Sequence, residues 1–258
     1  FMMGMGMFGQ GFVGKLAFPS AHVSDRLEKT FTSVNFNMMI MIIYALITIA
    51  IFGMWYYARY EGNFLPSPKK TFNPMMIVAI VILVPGTQFA ANFIANLTGY
   101  IRPDWLQQYN ELFETSGITD TTFVTVLYSV ILAPICEELI FRGVTMRCAR
   151  KALPFALANL MQAALFGLFH LNWIQGIYAF ALGIVLGYVC ERGGSIYYSM
   201  GLHLLFNLWG TLSGFFPDPG NSVVVFVVVI VVTIVSLVAG FVLFNKGRRK
   251  LPINSTGI

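Results

Sequence analysis

The sequence predicts an all-α protein, a polytopic transmembrane helical bundle, and two observations support this prediction. Of the 258 residues, 57% are hydrophobic and only 10% are charged, whereas soluble domains carry about 25% charged residues. Apolar runs also recur at close to the roughly 20 helical residues that cross a bilayer core. We predict about seven spans, at 36–58, 75–100, 122–141, 155–171, 176–190, 195–212 and 223–245, with eight spans as the alternative.

The predicted spans divide the chain into four parts. Residues 1–35 are expected to form an N-terminal interfacial or extracytoplasmic segment, and residues 36–121 to supply accessory transmembrane helices and an acidic external loop. Residues 213–258 add the last transmembrane helix and a basic tail. The transmembrane core at 122–212 holds the polar residues that suggest catalysis, so any chemistry is expected there.

The net charge of +5 is explained by membrane topology rather than by binding of nucleic acid. Basic residues cluster in alternate loops, whereas the loop at 102–120 holds one basic residue against four acidic ones. Because cytoplasmic loops carry an excess of Lys and Arg, we predict a cytoplasmic C-terminus in a multi-pass protein of the cell membrane. Membrane lipids are expected partners, and nucleic acid is not. The residues that set this orientation are Arg59, Lys69, Lys70, Arg147, Arg150, Lys151, Arg192, Lys246, Arg248, Arg249 and Lys250.

Two adjacent carboxylates and an arginine lie in or beside the third predicted span, at Glu137, Glu138 and Arg142. A charge at bilayer depth costs ~2.5 kcal/mol or more, so such residues usually pair, line wet cavities or do both. Glu138 and Arg142 are spaced i, i+4, which favours an ion pair and lowers the cost of burying both. We predict a supporting role for this pair and a cavity-facing position for Glu137. The pair alone could equally serve only to fix helix packing.

Two of the three histidines lie in predicted spans, and each has a partner four residues away. His170 follows Phe166 at this spacing and His203 precedes Asn207, so each pair projects from one helix face. Taken singly, each histidine could be a hydrogen-bonded core residue, and His203 with Asn207 could join neighbouring helices. Their joint occurrence with the carboxylates favours a catalytic site.

Distances along the chain place these groups at one depth. Glu137 lies about as far before the predicted turn at 151–154 as His170 lies after it. Equal distances from a turn mean equal depth in an antiparallel helical hairpin. His203 reaches inward from the turn at 191–194 on the same side. We predict one shared cavity in the cytoplasmic half of the membrane.

The residue types suit hydrolysis of a peptide bond. A water held between Glu137 and His170 could be deprotonated by the carboxylate, which is the usual work of a general base. His203 and Asn207 could donate to the oxyanion that forms on the carbonyl, and one such donor is worth ~2.7 to 4 kcal/mol. The predicted catalytic residues are therefore Glu137, His170, His203 and Asn207.

The core also resembles a known family, the CAAX protease and bacteriocin-processing family, also called Abi or type II CAAX prenyl endopeptidases. The family is related to the eukaryotic Ras-converting enzyme. The resemblance covers about residues 122–212, and the chain length and compact loops resemble the prokaryotic branch. The motifs occur in order, as Glu137-Glu138-x-x-x-Arg142, Phe166-x-x-x-His170 and His203-x-x-x-Asn207.

The resemblance implies a multi-pass intramembrane protease. In the family, the first glutamate and first histidine activate water, and the last histidine and asparagine stabilise the oxyanion. Carried over, these are Glu137, His170, His203 and Asn207. The implied substrate is a membrane-embedded or lipidated protein or peptide, and related bacterial proteins are linked to bacteriocin immunity and peptide maturation.

The sequence leaves the question of a metal open. Catalytic zinc usually has three protein ligands and a water, and Glu137, His170 and His203 are the candidates for such a set. The chain has no H-E-x-x-H motif, and a glutamate-dependent mechanism without metal is also proposed for the family. We expect no obligatory cofactor, with zinc as the alternative.

Two other functions stay open at the level of sequence. A non-catalytic regulatory or scaffold subunit could use the same fold to bind a partner membrane protein. A small transporter or channel could use Glu137 and the histidines as a proton relay. Against the transporter, the sequence shows no internal repeat and no paired broken helices.

Overall fold

The computed structural model describes residues 34–61, 72–116, 122–213 and 222–248, and the elements in these ranges are all helices. The predicted all-α membrane bundle is confirmed. The predicted N-terminal segment, except for its last two residues, and the end of the basic tail lie outside the described residues. The eight helices of the described ranges are α1 (Val34–Tyr56, continued by a π-helical turn, Tyr57–Glu61), α2 (Pro74–Ile101), α3 (Pro103–Ser116), α4 (Phe123–Ala149), α5 (Phe155–Phe169), α6 (Trp173–Gly193), α7 (Ile196–Ser213) and α8 (Val223–Arg248).

Each of the seven predicted spans coincides with a helix. Of the described helices, α1, α2, α4, α6 and α8 are long and apolar enough to cross a membrane. Helix α5 has 15 residues, about 22 Å at 1.5 Å per residue, which is shorter than the ~30 Å hydrocarbon core. Helix α7 has 18 residues, and His203 and Asn207 among them reduce its apolar character. The two helices that are too short or too polar to count as spans are therefore α5, which ends next to His170, and α7, which contains His203.

Helix α4 continues to Ala149, beyond the predicted end of the third span at 141. Two π-helical segments, Leu127–Leu132 and Leu139–Met146, lie within it. Pro134 follows the first segment, and a wider π turn relieves the clash by which a proline ring breaks an α-helix. The helix therefore extends past the predicted end of the span, and the predicted ion pair between Glu138 and Arg142 lies within the helix.

Helix α3 replaces part of the predicted acidic external loop. Pro103 occupies its first position, where a missing N–H has no cost. Trp105 stacks on Trp173 of α6 with ring centroids 5.3 Å apart, while Asp104 and Glu111 are exposed. This helix was not predicted from the sequence because an amphipathic helix is too polar to register as a span.

Several helix ends meet at one end of the bundle. Arg150, just after α4, forms an ion pair of 3.2 Å with Glu191 near the end of α6. Asn73, the N-cap of α2, donates from Nδ2 to the Gly247 carbonyl near the end of α8 at 3.0 Å. The loops predicted to share one side therefore lie together. We call this the basic end of the bundle, defined by the partly or fully exposed cations Arg147, Arg150, Arg192, Lys246 and Arg248.

Helices α2 and α8 pack against each other at a proline inside α2. Pro85 has no backbone N–H, and its ring displaces the carbonyl four residues back. The Ser236 hydroxyl of α8 inserts at this point, accepting from the Gly86 N–H at 2.8 Å and donating to the Ile82 carbonyl. A side chain of α8 thus replaces one backbone hydrogen bond of α2.

Glycines allow α5 and α6 to approach closely. A Cβ at Gly167 of α5 would lie 2.5 Å from the Gly176 carbonyl oxygen of α6, and a Cβ at Gly187 would lie 1.9 Å from Oδ1 of Asn159. Small residues of this kind are a usual feature of packed membrane helices. The close contact fixes the position of α5, which ends beside His170.

Candidate active site

The Glu138–Arg142 pair lies in α4 and is completely buried, with both side chains 0% exposed. Arg142 donates from Nη1 to Glu138 Oε1 at 2.9 Å and from Nη2 to the Gly183 carbonyl of α6 at 3.4 Å. Its guanidinium also lies over the ring of Phe166, 4.5 Å from the ring centroid. The predicted i, i+4 pairing is present, and removing either partner would leave an uncompensated buried charge.

His203 of α7 lies between the two glutamates of α4. Its Nδ1 is 2.9 Å from Glu138 Oε1, and its Nε2 is 3.5 Å from Glu137 Oε2. Because Glu138 Oε1 also accepts from Arg142, it acts as an acceptor and His203 Nδ1–H is the donor. Sequence reasoning paired Glu138 with Arg142 alone and missed this second contact. Glu138 therefore supports the arginine and also orients the imidazole.

Glu137 differs from Glu138 in how much of its side chain is exposed. The Glu137 side chain is 17% exposed, whereas the side chains of Glu138 and His203 are 0% and 3% exposed. Successive side chains on a helix point ~100° apart, which explains the contrast between two adjacent residues. The structure thus separates one sealed carboxylate from one that is partly exposed.

His170 follows the last residue of α5, and the backbone of that helix orients its ring. Its Nδ1 lies 2.9 Å from the Phe166 carbonyl. A carbonyl can only accept, so Nδ1 carries the proton and Nε2 is left as an acceptor. The chain then reverses through Leu171, whose φ of 53° is left-handed, and Asn172, which caps α6.

The ring of Phe166 contacts three polar residues of the site. It is 1% exposed and meets the rings of His170 and His203 edge to face, with centroids 5.0 and 5.8 Å away. Arg142 lies over the same ring. Sequence reasoning included Phe166 only as part of a motif, and its i, i+4 spacing from His170 is the signal that indicates this position. One apolar ring therefore fills the space between the two imidazoles and the guanidinium.

Asn207 reaches α4 through a backbone carbonyl. Its Nδ2 donates to the carbonyl oxygen of Ser129 at 2.8 Å. Asn207 and His203 thus both contact α4 from one face of α7, in agreement with their spacing. The bond to Ser129 occupies one of the two N–H groups of the amide, so a role as oxyanion donor depends on the other.

Two buried amides extend this network toward α6. Gln162 of α5 donates from Nε2 to the Gly183 carbonyl at 2.9 Å and to Asn159 Oδ1 at 2.7 Å. Asn159 Nδ2 in turn donates to the Ile184 carbonyl at 3.0 Å. Because Arg142 binds the same Gly183 carbonyl, the amides help to hold it. Sequence reasoning missed both residues, although two amides spaced i, i+3 in an apolar helix are a usable signal.

The candidate zinc ligands do not fit a three-ligand site. In the described part of the chain, no three His, Cys, Asp or Glu side chains are grouped so that they could hold a metal ion. Both nitrogens of His203 face carboxylates, and Nδ1 of His170 faces a carbonyl. We therefore assign no catalytic step to a metal.

Comparison with known proteins supports the three motifs. Residues 119–209, a range that contains all three, match the family model described as Type II CAAX prenyl endopeptidase Rce1-like. No curated protein and no solved structure matches the chain significantly. Residues 119–209 are therefore similar to the Rce1-like domain of the type II CAAX prenyl endopeptidases, a family that includes proteases.

Proposed function

We propose that this protein is an intramembrane endopeptidase in which Glu137 deprotonates the attacking water. The observation that carries this proposal is the contrast between two adjacent carboxylates. Glu138 is sealed in an ion pair, whereas Glu137 is 17% exposed and lies beside His203. A general base must reach the proton that it removes, and of the two carboxylates Glu137 has that access.

His170 is proposed to complete the water site. No direct hydrogen bond joins His170 to Glu137 among the described residues, so we place the attacking water between them. Nε2 of His170 is the free acceptor of that ring, because Nδ1–H is donated to the Phe166 carbonyl. A proton taken from the water can pass to the leaving amine through this imidazole.

His203 is proposed to stabilise the oxyanion. When it is protonated on both nitrogens, Nδ1–H is donated to Glu138 and Nε2–H faces Glu137 at 3.5 Å. The two carboxylates are then balanced by Arg142 and the imidazolium, and a buried cluster without net charge is less costly to desolvate. Once Glu137 has taken the proton of the water and lost its charge, the Nε2–H can donate to the developing oxyanion, with the second N–H of Asn207 as a further donor.

The proposed substrate is a peptide bond of a membrane-embedded or lipidated protein. The candidate residues lie on helices of a membrane bundle, so the scissile bond has to reach bilayer depth. A hydrophobic or lipid-bearing chain meets that condition at low cost. We further propose the cell membrane as its location, with the basic end and the C-terminus in the cytoplasm, because basic loops favour that side.

Cleavage by the purified protein in lipid nanodiscs tests the proposal. A library of membrane-anchored peptides is the substrate, and mass spectrometry identifies the products. Glu137→Gln keeps the side chain's size and removes the base, so cleavage should fall by ~10²–10⁴-fold with an unchanged melting temperature. Glu111→Gln, on the exposed face of α3, is the matched control and should cleave normally.

Two results would overturn parts of the proposal. Cleavage that persists in Glu137→Gln contradicts the choice of base. A folded unsubstituted protein that cleaves no peptide in the library contradicts the peptidase activity itself. For the metal, thorough chelation is expected to leave cleavage unchanged. A loss of cleavage that added zinc restores would contradict water activation by Glu137 without a metal.

A further inference from the structure

A groove lies between α6 and α8, away from the candidate active site. Its volume is about 250 Å³, and it is lined by Ile184, Val185, Tyr188 and Phe241. The rings of Tyr188 and Phe241 meet edge to face with centroids 5.4 Å apart. The wall is apolar along its length and open at the surface of the bundle, as expected for a groove that takes a hydrocarbon chain.

The groove ends in polar groups at the basic end of the bundle. The Tyr188 hydroxyl donates to Asn245 Oδ1 of α8 at 2.9 Å. Arg192, one helical turn beyond Tyr188, places its guanidinium 5.7 Å from the Tyr188 ring centroid. Lys246 follows Asn245 and is exposed. Arg192 thus lies at the mouth of an apolar groove, and Lys246 is an exposed cation at the same end of α8.

Neither of these two cations has an acidic partner among the residues that the structure describes. Glu191, the acidic residue next to Arg192, is engaged by Arg150 at 3.2 Å. Over the described ranges of the chain, neither Arg192 nor Lys246 takes part in an ion pair. Their charge is therefore available to an anionic ligand.

We propose that this groove binds one anionic phospholipid of the bilayer. Ile184, Tyr188 and Arg192 are spaced i, i+4, i+8, so they lie on one face of α6 at ~6 Å per step. The acyl chain would lie against Ile184, Val185 and Phe241, and the phosphate beside Arg192 and Lys246.

Charge complementarity selects this occupant over a neutral lipid. Each basic residue near the membrane surface gains about 1 kcal/mol from anionic lipid, whereas a neutral lipid of the same chain length gains only the apolar contact. Basic pockets between helices are known headgroup sites. Anionic lipid should therefore be preferred over neutral lipid by a factor set mainly by Arg192 and Lys246.

The groove shares α6 with the candidate active site. Asn159 donates to the Ile184 carbonyl, one residue after the Gly183 carbonyl that accepts from Arg142. A lipid bound along Ile184 and Val185 is therefore expected to stabilise α6, whose Gly183 carbonyl accepts a hydrogen bond from Arg142. The proposal does not depend on peptidase activity, and its test needs no substrate.

Native mass spectrometry of the purified protein tests this inference. Phosphatidylglycerol and phosphatidylcholine with identical acyl chains are the competing probes, added in equal amounts. Phosphatidylglycerol should be retained preferentially, and the double variant Arg192→Gln, Lys246→Gln should lose that preference by ~30-fold, from about fivefold for each residue. Arg59→Gln removes one exposed charge at the end of α1 and should keep it.

The outcomes decide between occupants. Equal retention of the two lipids by the unsubstituted protein would overturn the proposal without reference to any variant. Equal loss in Arg59→Gln would show a general effect of surface charge and overturn it as well. Free glycerol 3-phosphate at millimolar concentration should not displace the lipid, and displacement would contradict the role of the apolar groove. Preferential retention of a neutral isoprenoid alcohol would assign the groove to a different ligand.

Discussion

Asn207 of α7 donates a side-chain N–H to the backbone carbonyl of Ser129 in α4 at 2.8 Å. The N–H of Ala133 bonds the Tyr128 carbonyl five residues back, so the next backbone donor in that register would be residue 134. Pro134 has no N–H. A motif residue of α7 therefore compensates for a proline in α4 and ties the two helices together beside the candidate site.

This relationship predicts coupling between positions 207 and 134. Asn207→Leu should lower the free energy of unfolding by ~1–3 kcal/mol, because it leaves the Ser129 carbonyl unpaired inside the bundle. Pro134→Ala supplies a backbone N–H that can reach Ser129, so the double variant should recover most of that loss. Thermal unfolding of the four proteins in the same nanodiscs gives the coupling energy. Strictly additive losses would show that the two residues do not share the carbonyl.

A second prediction concerns Ser236, which inserts into α2 beside Pro85. Ser236→Ala leaves the Gly86 N–H and the Ile82 carbonyl without partners, so it should destabilise the bundle by ~1–3 kcal/mol. Thr233, one turn earlier in α8, donates only to the Val229 carbonyl of its own helix. Thr233→Val should therefore change the stability by about 0.5 kcal/mol or less. A similar loss in both variants, measured by thermal unfolding, would mean that the inserted hydroxyl has no special role.

Helix geometry explains which parts of the site the sequence could predict. Residues spaced i, i+4 share one face of a helix whatever surrounds it, so the contacts of Glu138 with Arg142 and of Phe166 with His170 follow from spacing alone. Both contacts are present, and the apolar runs likewise coincide with helices. Local spacing is thus a sufficient guide to contacts within one helix.

Contacts between helices depend on how each helix is rotated about its axis and shifted along it, and residue spacing within one helix does not encode either. The bond from His203 to Glu138 requires a particular rotation of α7 against α4. The π-helical segments of α4 depend on partners such as Asn207, which lie far away in the sequence. Helix α3 was missed for a different reason, since it is too polar to register as a span and its contact with α6, Trp105 on Trp173, is distant in the sequence.

A third prediction separates two glycines that look alike in the sequence. Gly187→Ala places a Cβ where Asn159 Oδ1 would be only 1.9 Å away, whereas a Cβ at Gly201 of α7 meets nothing within 4 Å. Gly187→Ala should therefore cost ~1–3 kcal/mol of stability through overpacking. Gly201→Ala should be neutral or stabilising by up to about 1 kcal/mol, because alanine favours the helix.

Truncation of the neighbour provides the check on this prediction. Asn159→Ala combined with Gly187→Ala removes the amide that the new methyl would meet, so the double variant should be less destabilised than the sum of the single ones. Thermal unfolding under identical lipid conditions measures all of these proteins. Equal stability of Gly187→Ala and Gly201→Ala would contradict the close approach of α5 and α6.

The last prediction concerns Phe166 and rests on the proposed peptidase activity. Its ring lies 4.5 Å from the Arg142 guanidinium and meets both proposed catalytic histidines, and a desolvated cation–π contact is worth ~2 kcal/mol. Phe166→Leu should lower kcat about tenfold, in line with a loss of ~1.4 kcal/mol, while KM stays unchanged because the ring is buried away from substrate. Phe169→Leu is the matched control, since its ring meets His170 edge to face at a longer centroid distance, 6.4 Å. We expect kcat of this control to fall by less than about twofold, and kinetics on one cleaved peptide, with melting temperatures of both variants, measure the difference. A rise in KM at constant kcat would instead mean that Phe166 contacts the substrate, and equal losses of kcat in both variants would reduce its role to general packing.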